Sequence, residues 1–174
     1  MGASSIATEN CMKILALILA LSLSSVAYAE NEIVGAFGVR LGDAIDERME
    51  FVEQNDKGAL VYKFTPDKRH EYFSEYTVLA TIKTKIIFRI IAIHQYANKE
   101  ACHGRRRILR VALSKKYGKA SGLTSFIPVW KNDNRAILLN CKGYPEKGLQ
   151  LEYLDKDLET RAMEEKADDV KDSL

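Results

Sequence analysis

Beyond residue 30 the apolar positions recur with two different periods. Leu60, Tyr62 and Phe64 alternate with Val61 and Lys63, which predicts a strand closed by Pro66-Asp67. Tyr76 to Ile82 is β-branched and aromatic. Ile86 to His94 is apolar on both faces, with Arg89 the exception. Together, residues 76–94 predict a hairpin whose second strand is central and covered on both sides. Residues 124–130, 135–141 and 148–154 predict three more strands, with Asn132-Asp133-Asn134 as a turn. The earliest strand is Ile33 to Leu41, interrupted by Gly35 and Gly38, where the glycines let it bend or pack closely.

The helical period appears three times. Ile45, Met49 and Val52 are spaced by four and three. With Asp43 as N-cap and acids at Asp46 and Glu47, they predict a short amphipathic helix over 44–54. Asn98 caps a second helix over 99–117, stopped by Gly118, with Ile108, Leu109, Ala112, Leu113 and Tyr117 as its inner stripe. The acidic segment 155–170 predicts a third, with a thin stripe of Leu158, Met163 and Val170. The order predicts an α+β fold: a largely antiparallel sheet packed by helices, a helix-strand-strand-strand unit used twice, and a C-terminal helix.

The start of the chain bears on its compartment. Met12-Lys13 precedes an apolar run from Ile14 to Leu23, and Ala27-Tyr28-Ala29 has the small-x-small form that signal peptidase reads. Residues 12–29 therefore read as a signal peptide and 1–11 as an over-extended start. Residues 30–154 read as one domain, followed by an acidic helix or tail over 155–174. The apolar run is about half of the roughly 20 residues that a bilayer span needs, so no stable span is expected after cleavage. Cys11 precedes the run and cannot be the acylated cysteine of a lipoprotein. Ile6 breaks the myristoylation pattern. The expected location is periplasmic or secreted.

Composition, 47% hydrophobic and 29% charged, fits a globular chain. Residues 154–174 hold eight acids and four bases, a net of −4. Residues 30–174 hold 25 bases and 23 acids, so residues 30–153 net +6. That basic body reads first as a solvated face with excess lysine, and could otherwise favour an acidic partner or an anionic membrane surface. Two cysteines follow residue 30. Cys102 shares a helix face with Leu109 and Leu113, and Cys141 shares a strand face with Ile137 and Leu139. Both thiols point to a common core, which predicts a Cys102–Cys141 disulfide in an oxidising compartment.

No catalytic, metal or cofactor residue is assigned. His70, His94 and His103 lack metal-ligand spacing. Gly35, Gly38 and Gly42 fail the dinucleotide fingerprint, and no hydrolase elbow is present. Asp67, Glu71 and Glu75 form an acid cluster in sequence only. The sharper candidates are for contact. Arg105, Arg106, Arg107 and Arg110 offer cations to phosphate, lipid head groups or an acidic protein, or line the solvent face of a helix. Export argues against nucleic acid as the ligand. Tyr72, Phe73 and Tyr76 are the candidate aromatic patch, with Tyr62, Tyr96, Trp130 and Tyr144 as further aromatics.

Four segments carry a resemblance: Phe37-Gly38-Val39-Arg40-Leu41-Gly42, Tyr62-Lys63-Phe64-Thr65-Pro66, the run Phe73 to Thr81, and the helix from Cys102 to Gly118. Over most of residues 36–154 the chain resembles small uncharacterised exported proteins of Gram-negative bacteria. The resemblance implies a periplasmic α+β domain with a helix-to-strand disulfide, and no activity. The order of elements is also similar to β-lactamase-inhibitor-protein and BamE-type domains, which bind other proteins; that likeness is topological. Three classes remain in view: a non-enzymatic domain binding an envelope protein, a small-ligand or lipid binder, and a cell-wall hydrolase.

Overall fold

Among the described residues, nine strands and two helices follow one another. They are β1 (Gly35–Ala36), β2 (Val39–Arg40), β3 (Met49–Gln54), β4 (Leu60–Phe64), β5 (Glu75–Ala80), β6 (Ile87–Gln95), α1 (Lys99–Tyr117), β7 (Val129–Asn132), β8 (Arg135–Lys142), β9 (Gly148–Asp155) and α2 (Lys156–Asp172). The computed structural model describes residues 32–121, 127–143 and 148–172. The expected signal peptide, residues 124–126 of the expected 124–130 strand and Tyr144 lie outside those residues, and the described part of that strand begins only at Val129.

β3 to β9 form one antiparallel sheet of seven strands in the order β3-β4-β5-β6-β9-β8-β7. β1 and β2 form a separate two-stranded hairpin. The α+β class and the C-terminal helix agree with the sequence reading. β6 occupies the centre of the sheet, as its two apolar faces require. One in-register row runs across all seven strands: Phe51, Tyr62, Val78, Ile90, Tyr153, Ile137 and Trp130. Six of these are buried; Phe51, on the edge strand, is exposed. The row belongs to the face that α1 covers with Cys102, Leu109 and Leu113.

The opposite face packs against α2. Phe88, Leu154, Ala59 and Ala162 form a second, smaller apolar cluster there, joined by Leu79, Leu138 and Leu158. Arg89, the polar exception in β6, points to this face. Its guanidinium bridges Glu152 of β9 and Glu159 of α2. Glu152 is buried and also accepts from Lys142 Nζ at 3.0 Å and Gln150 Nε2 at 2.9 Å. A buried carboxylate is tolerated only with such donors around it. Glu165 of α2 accepts from the Lys83 amide and the Thr84 hydroxyl, which fixes the helix to the β5–β6 turn.

Both ends of α1 are as the sequence predicts. The Asn98 side chain accepts from the Ala101 amide at 2.8 Å. Gly118 follows the last turn at φ 79°, and its carbonyl accepts from the buried Trp130 indole at 3.0 Å. The inner stripe needs correction: Ile108 and Ala112 face solvent, and the packed line is Cys102, Leu109 and Leu113. The Cys102–Cys141 disulfide is present, with Cα atoms 6.2 Å apart.

Two other expectations are corrected. Residues 44–54 are not a helix. Ala44 makes an isolated bridge to Ile86, and Met49–Gln54 is the edge strand β3. Asp43 caps no helix, and Asp46 turns the chain instead of lying in a first helical turn: its carboxylate accepts from the Arg48 amide and pairs with the Arg48 guanidinium. Those contacts hold its carboxyl below the usual carboxylate range, the side-chain pairing first. Without that helix, the helix-strand-strand-strand unit occurs once. The first strand is likewise split in two. Phe37 and Gly38 form a two-residue hairpin loop with φ of 57° and 81°, the mirror-image turn that suits strand twist. Gly35 lies so close to Val39 that a Cβ would collide with its carbonyl oxygen.

Candidate interaction surface

α1 carries seven bases (Lys99, Arg105, Arg106, Arg107, Arg110, Lys115 and Lys116) against one acid, Glu100. Helix geometry separates them. Arg106 falls near the packed line and is half-buried. Arg105 leans toward the β4–β5 loop, where its guanidinium lies 4.7 Å from the Tyr72 ring centroid and donates to the Tyr72 hydroxyl at 3.4 Å. Arg107, Arg110 and Lys115 project outward with Val111 and Ser114. Among the described residues, none of these three has a carboxylate within ion-pair reach. Beside them Ile108 is 51% exposed and Val111 55%. The sequence placed Ile108 inside and gave Val111 no role. Their spacing of three puts them side by side on the helix surface.

The aromatic candidates divide. Phe73 and Tyr76 are buried core residues and cannot serve as a contact patch. Phe73 meets Phe37 edge-on at 5.8 Å, and Tyr76 meets Phe37 at 5.0 Å and Phe64 at 5.8 Å. The Tyr76 hydroxyl accepts from the His70 amide at 3.0 Å. Tyr72 alone of the three reaches the surface, half-buried beneath Arg105. Its carbonyl accepts from the Tyr96 hydroxyl, whose pKa is pushed up chiefly by burial. Tyr62 and Trp130 are buried.

The histidines sit in separate structural roles. His70 Nδ1 accepts from the Tyr72 amide at 3.2 Å, and His103 lies on α1. His94 Nδ1 lies 3.0 Å from Ser74 Oγ. A serine-histidine pair would need a carboxylate to orient the imidazole, and among the described residues none is hydrogen-bonded to His94. The acids at 67, 71 and 75 are exposed, and Asp67 stands 4.0 Å from Arg48. Among the described residues no group of three or more His, Cys, Asp or Glu could hold a metal ion, and no helix is long and apolar enough to cross a membrane.

Two of the clefts among the described residues bear on ligand binding. One, of about 300 Å³, separates the β1–β2 hairpin from α1, with His70, Leu113, Lys116 and Tyr153 among its walls. Tyr153 is buried there, and burial, reinforced by Tyr117, drives its pKa far above the usual phenol value. The other, of about 490 Å³, lies between the β3–β4 turn and α2, walled by Leu79, Phe88, Ala162 and Met163.

No family model, no curated protein and no solved structure matches this chain.

Proposed function

We propose that this chain is a non-enzymatic exported domain that binds an acidic surface of another envelope protein through the outward face of α1, as an adaptor or an inhibitor. The supporting observation is the set of cations Arg107, Arg110 and Lys115, without an ion pair among the described residues, beside exposed Ile108 and Val111. Guanidinium groups are weakly hydrated and fit carboxylates two-pronged, and arginine is enriched at protein interfaces. The apolar pair supplies the burial that charge alone lacks. The envelope address rests on the signal-like segment 12–29.

The test is capture from a periplasmic extract by the immobilised protein, with Arg107→Glu/Arg110→Glu alongside. The captured protein should be acidic, and the double variant should bind it at least tenfold more weakly with an unchanged melting temperature. Equal capture by both forms would sink the reading. So would tight binding of phosphatidylglycerol vesicles with no protein partner, which would make the face a membrane contact.

A second reading, a small-ligand binder, is favoured by one observation, the 490 Å³ cleft whose walls set Leu79, Phe88, Ala162 and Met163 beside Lys57, Arg89 and Glu159. Octanoate displacing a fluorescent naphthalene sulfonate from that cleft, blocked by Ala162→Trp, would support it.

A further inference from the structure

The two edges of the seven-stranded sheet are finished differently. At one end, Ser121 bridges the outer side of the first residue of β7. The Ser121 amide donates to the Val129 carbonyl at 2.7 Å, the Val129 amide donates back at 3.2 Å, and the Ser121 hydroxyl donates to the same carbonyl. At the other end, among the described residues, β3 pairs with β4 alone. Five of its six residues are exposed. Phe51 is 54% exposed and Val52 43%, and Phe51 meets Tyr62 of β4 edge-on at 5.5 Å. An edge strand offers a row of backbone donors and acceptors to any extended chain of matching chemistry.

The chemistry of this edge is acidic. Residues 43–57 hold six acids (Asp43, Asp46, Glu47, Glu50, Glu53 and Asp56) and two bases (Arg48 and Lys57), a net of −4. Arg48 is engaged by Asp46. Glu47, Glu50 and Glu53 have no cation within ion-pair reach among the described residues. Acids on an edge, together with the bulge between Phe51 and Glu53, guard it against indiscriminate pairing. They also guard it against a second copy. Antiparallel self-pairing centred on Phe51 and Val52 would set glutamate against glutamate, and like charges directly opposite destabilise a ladder. An extended segment with Lys or Arg between apolar residues meets both the charges and the Phe51–Val52 surface.

We propose that the β3 edge is a docking strand for a basic, extended segment of a partner protein, which adds to the sheet as an eighth strand. This site stands on observations separate from those on α1, so either can fail alone.

The probe is a ten-residue acetylated peptide alternating lysine and valine, with a glutamate-valine peptide as control. Isothermal titration should show the basic peptide binding the full chain at least tenfold more tightly than the acidic one. Amide exchange across residues 49–54 should slow on binding. Glu50→Lys/Glu53→Lys, at exposed positions that leave the fold intact, should reverse the preference, while Arg107→Glu/Arg110→Glu should leave basic-peptide binding unchanged. Equal affinity for the two peptides would overturn the proposal. So would binding that leaves the β3 amides unprotected, which is charge adsorption, or a concentration-dependent dimer through this edge in sedimentation.

Discussion

Arg135 donates from Nε to the Asp155 carboxylate at 3.0 Å, and the same guanidinium donates to the carbonyls of Ile33 and Leu41. One side chain on β8 thus fastens both ends of the 33–41 segment and neutralises a carboxylate that is 3% exposed. Asp155 also accepts from the Leu158 amide, as the cap of α2, and from the Asn134 side chain. Arg135→Ala would strand that buried charge and should cost about 3 kcal/mol. Urea unfolding reads the loss, and amide exchange over 33–41 should quicken more than exchange in β4 or β5.

The disulfide should be a large single contributor. It closes a loop with a sequence separation of 39. The chain-entropy treatment gives about 4 kcal/mol for a loop of that size. Cys102→Ser/Cys141→Ser should lower stability by roughly that amount in urea, and reductant should do the same to the native chain. Two reactive thiols in protein taken from its own compartment would contradict the bond.

The faces of α1 can be told apart by one pair of variants. Leu109 is buried against the sheet and Ile108 is half exposed. Leu109→Ala should cost about 2–4 kcal/mol through lost burial and a residual cavity. Ile108→Ala should stay within about 0.5 kcal/mol, as surface changes usually do. The reverse order would put the helix in the wrong rotation.

Alkaline pH should weaken the fold through Tyr153. Burial raises its folded pKa well above the unfolded value, so the folded chain keeps a proton that the unfolded chain releases. Its contribution is full below about pH 10 and falls above it by about 1.4 kcal/mol per pH unit. Urea midpoints from pH 8 to 11 should show the decline, and Tyr153→Phe should flatten it. A native slope that survives the substitution unchanged would assign the effect elsewhere.

The hairpin loop supports a smaller test. A methyl group added at Gly38 would meet open space, so Gly38→Ala bears only the penalty of its positive φ. About 1 kcal/mol is expected from urea unfolding. Phe37 has the same kind of conformation and is held in it by the Phe73 and Tyr76 rings.

Where burial is one-sided or complete, the sequence was readable. β6 announces its central place by apolar residues on both faces, α1 by its caps, and the disulfide by the faces that Cys102 and Cys141 share with core leucines and isoleucine. Residues 44–54 misled because an edge strand has no deeply buried face to impose a period of two. The bulge at Val52 then shifts what alternation Met49 and Phe51 begin, leaving a chance helical spacing. Phe73 and Tyr76 misled for a different reason. Aromatics after a turn read as surface, but the β1–β2 hairpin folds over them, and that contact is set by Phe37, far back in the chain. That Arg107, Arg110 and Lys115 have no carboxylate partner among the described residues depends on where acids from other elements fall, which spacing along α1 does not encode.

The strand order carries one more consequence. β3 to β6 is a meander of neighbouring hairpins, β7 to β9 is another, and the two meet at a single line where Arg89–Gln95 pairs with Leu154–Gly148. Every other strand pairing in the sheet is local in the chain. That seam is where the sheet is zipped by residues more than fifty positions apart, with α1 as the hinge-like crossover between its halves and α2 laid across it from behind. A chain cut short of β9 would keep the β3–β6 meander, but it would leave β7 and β8 as a lone hairpin with nothing to join it to β6.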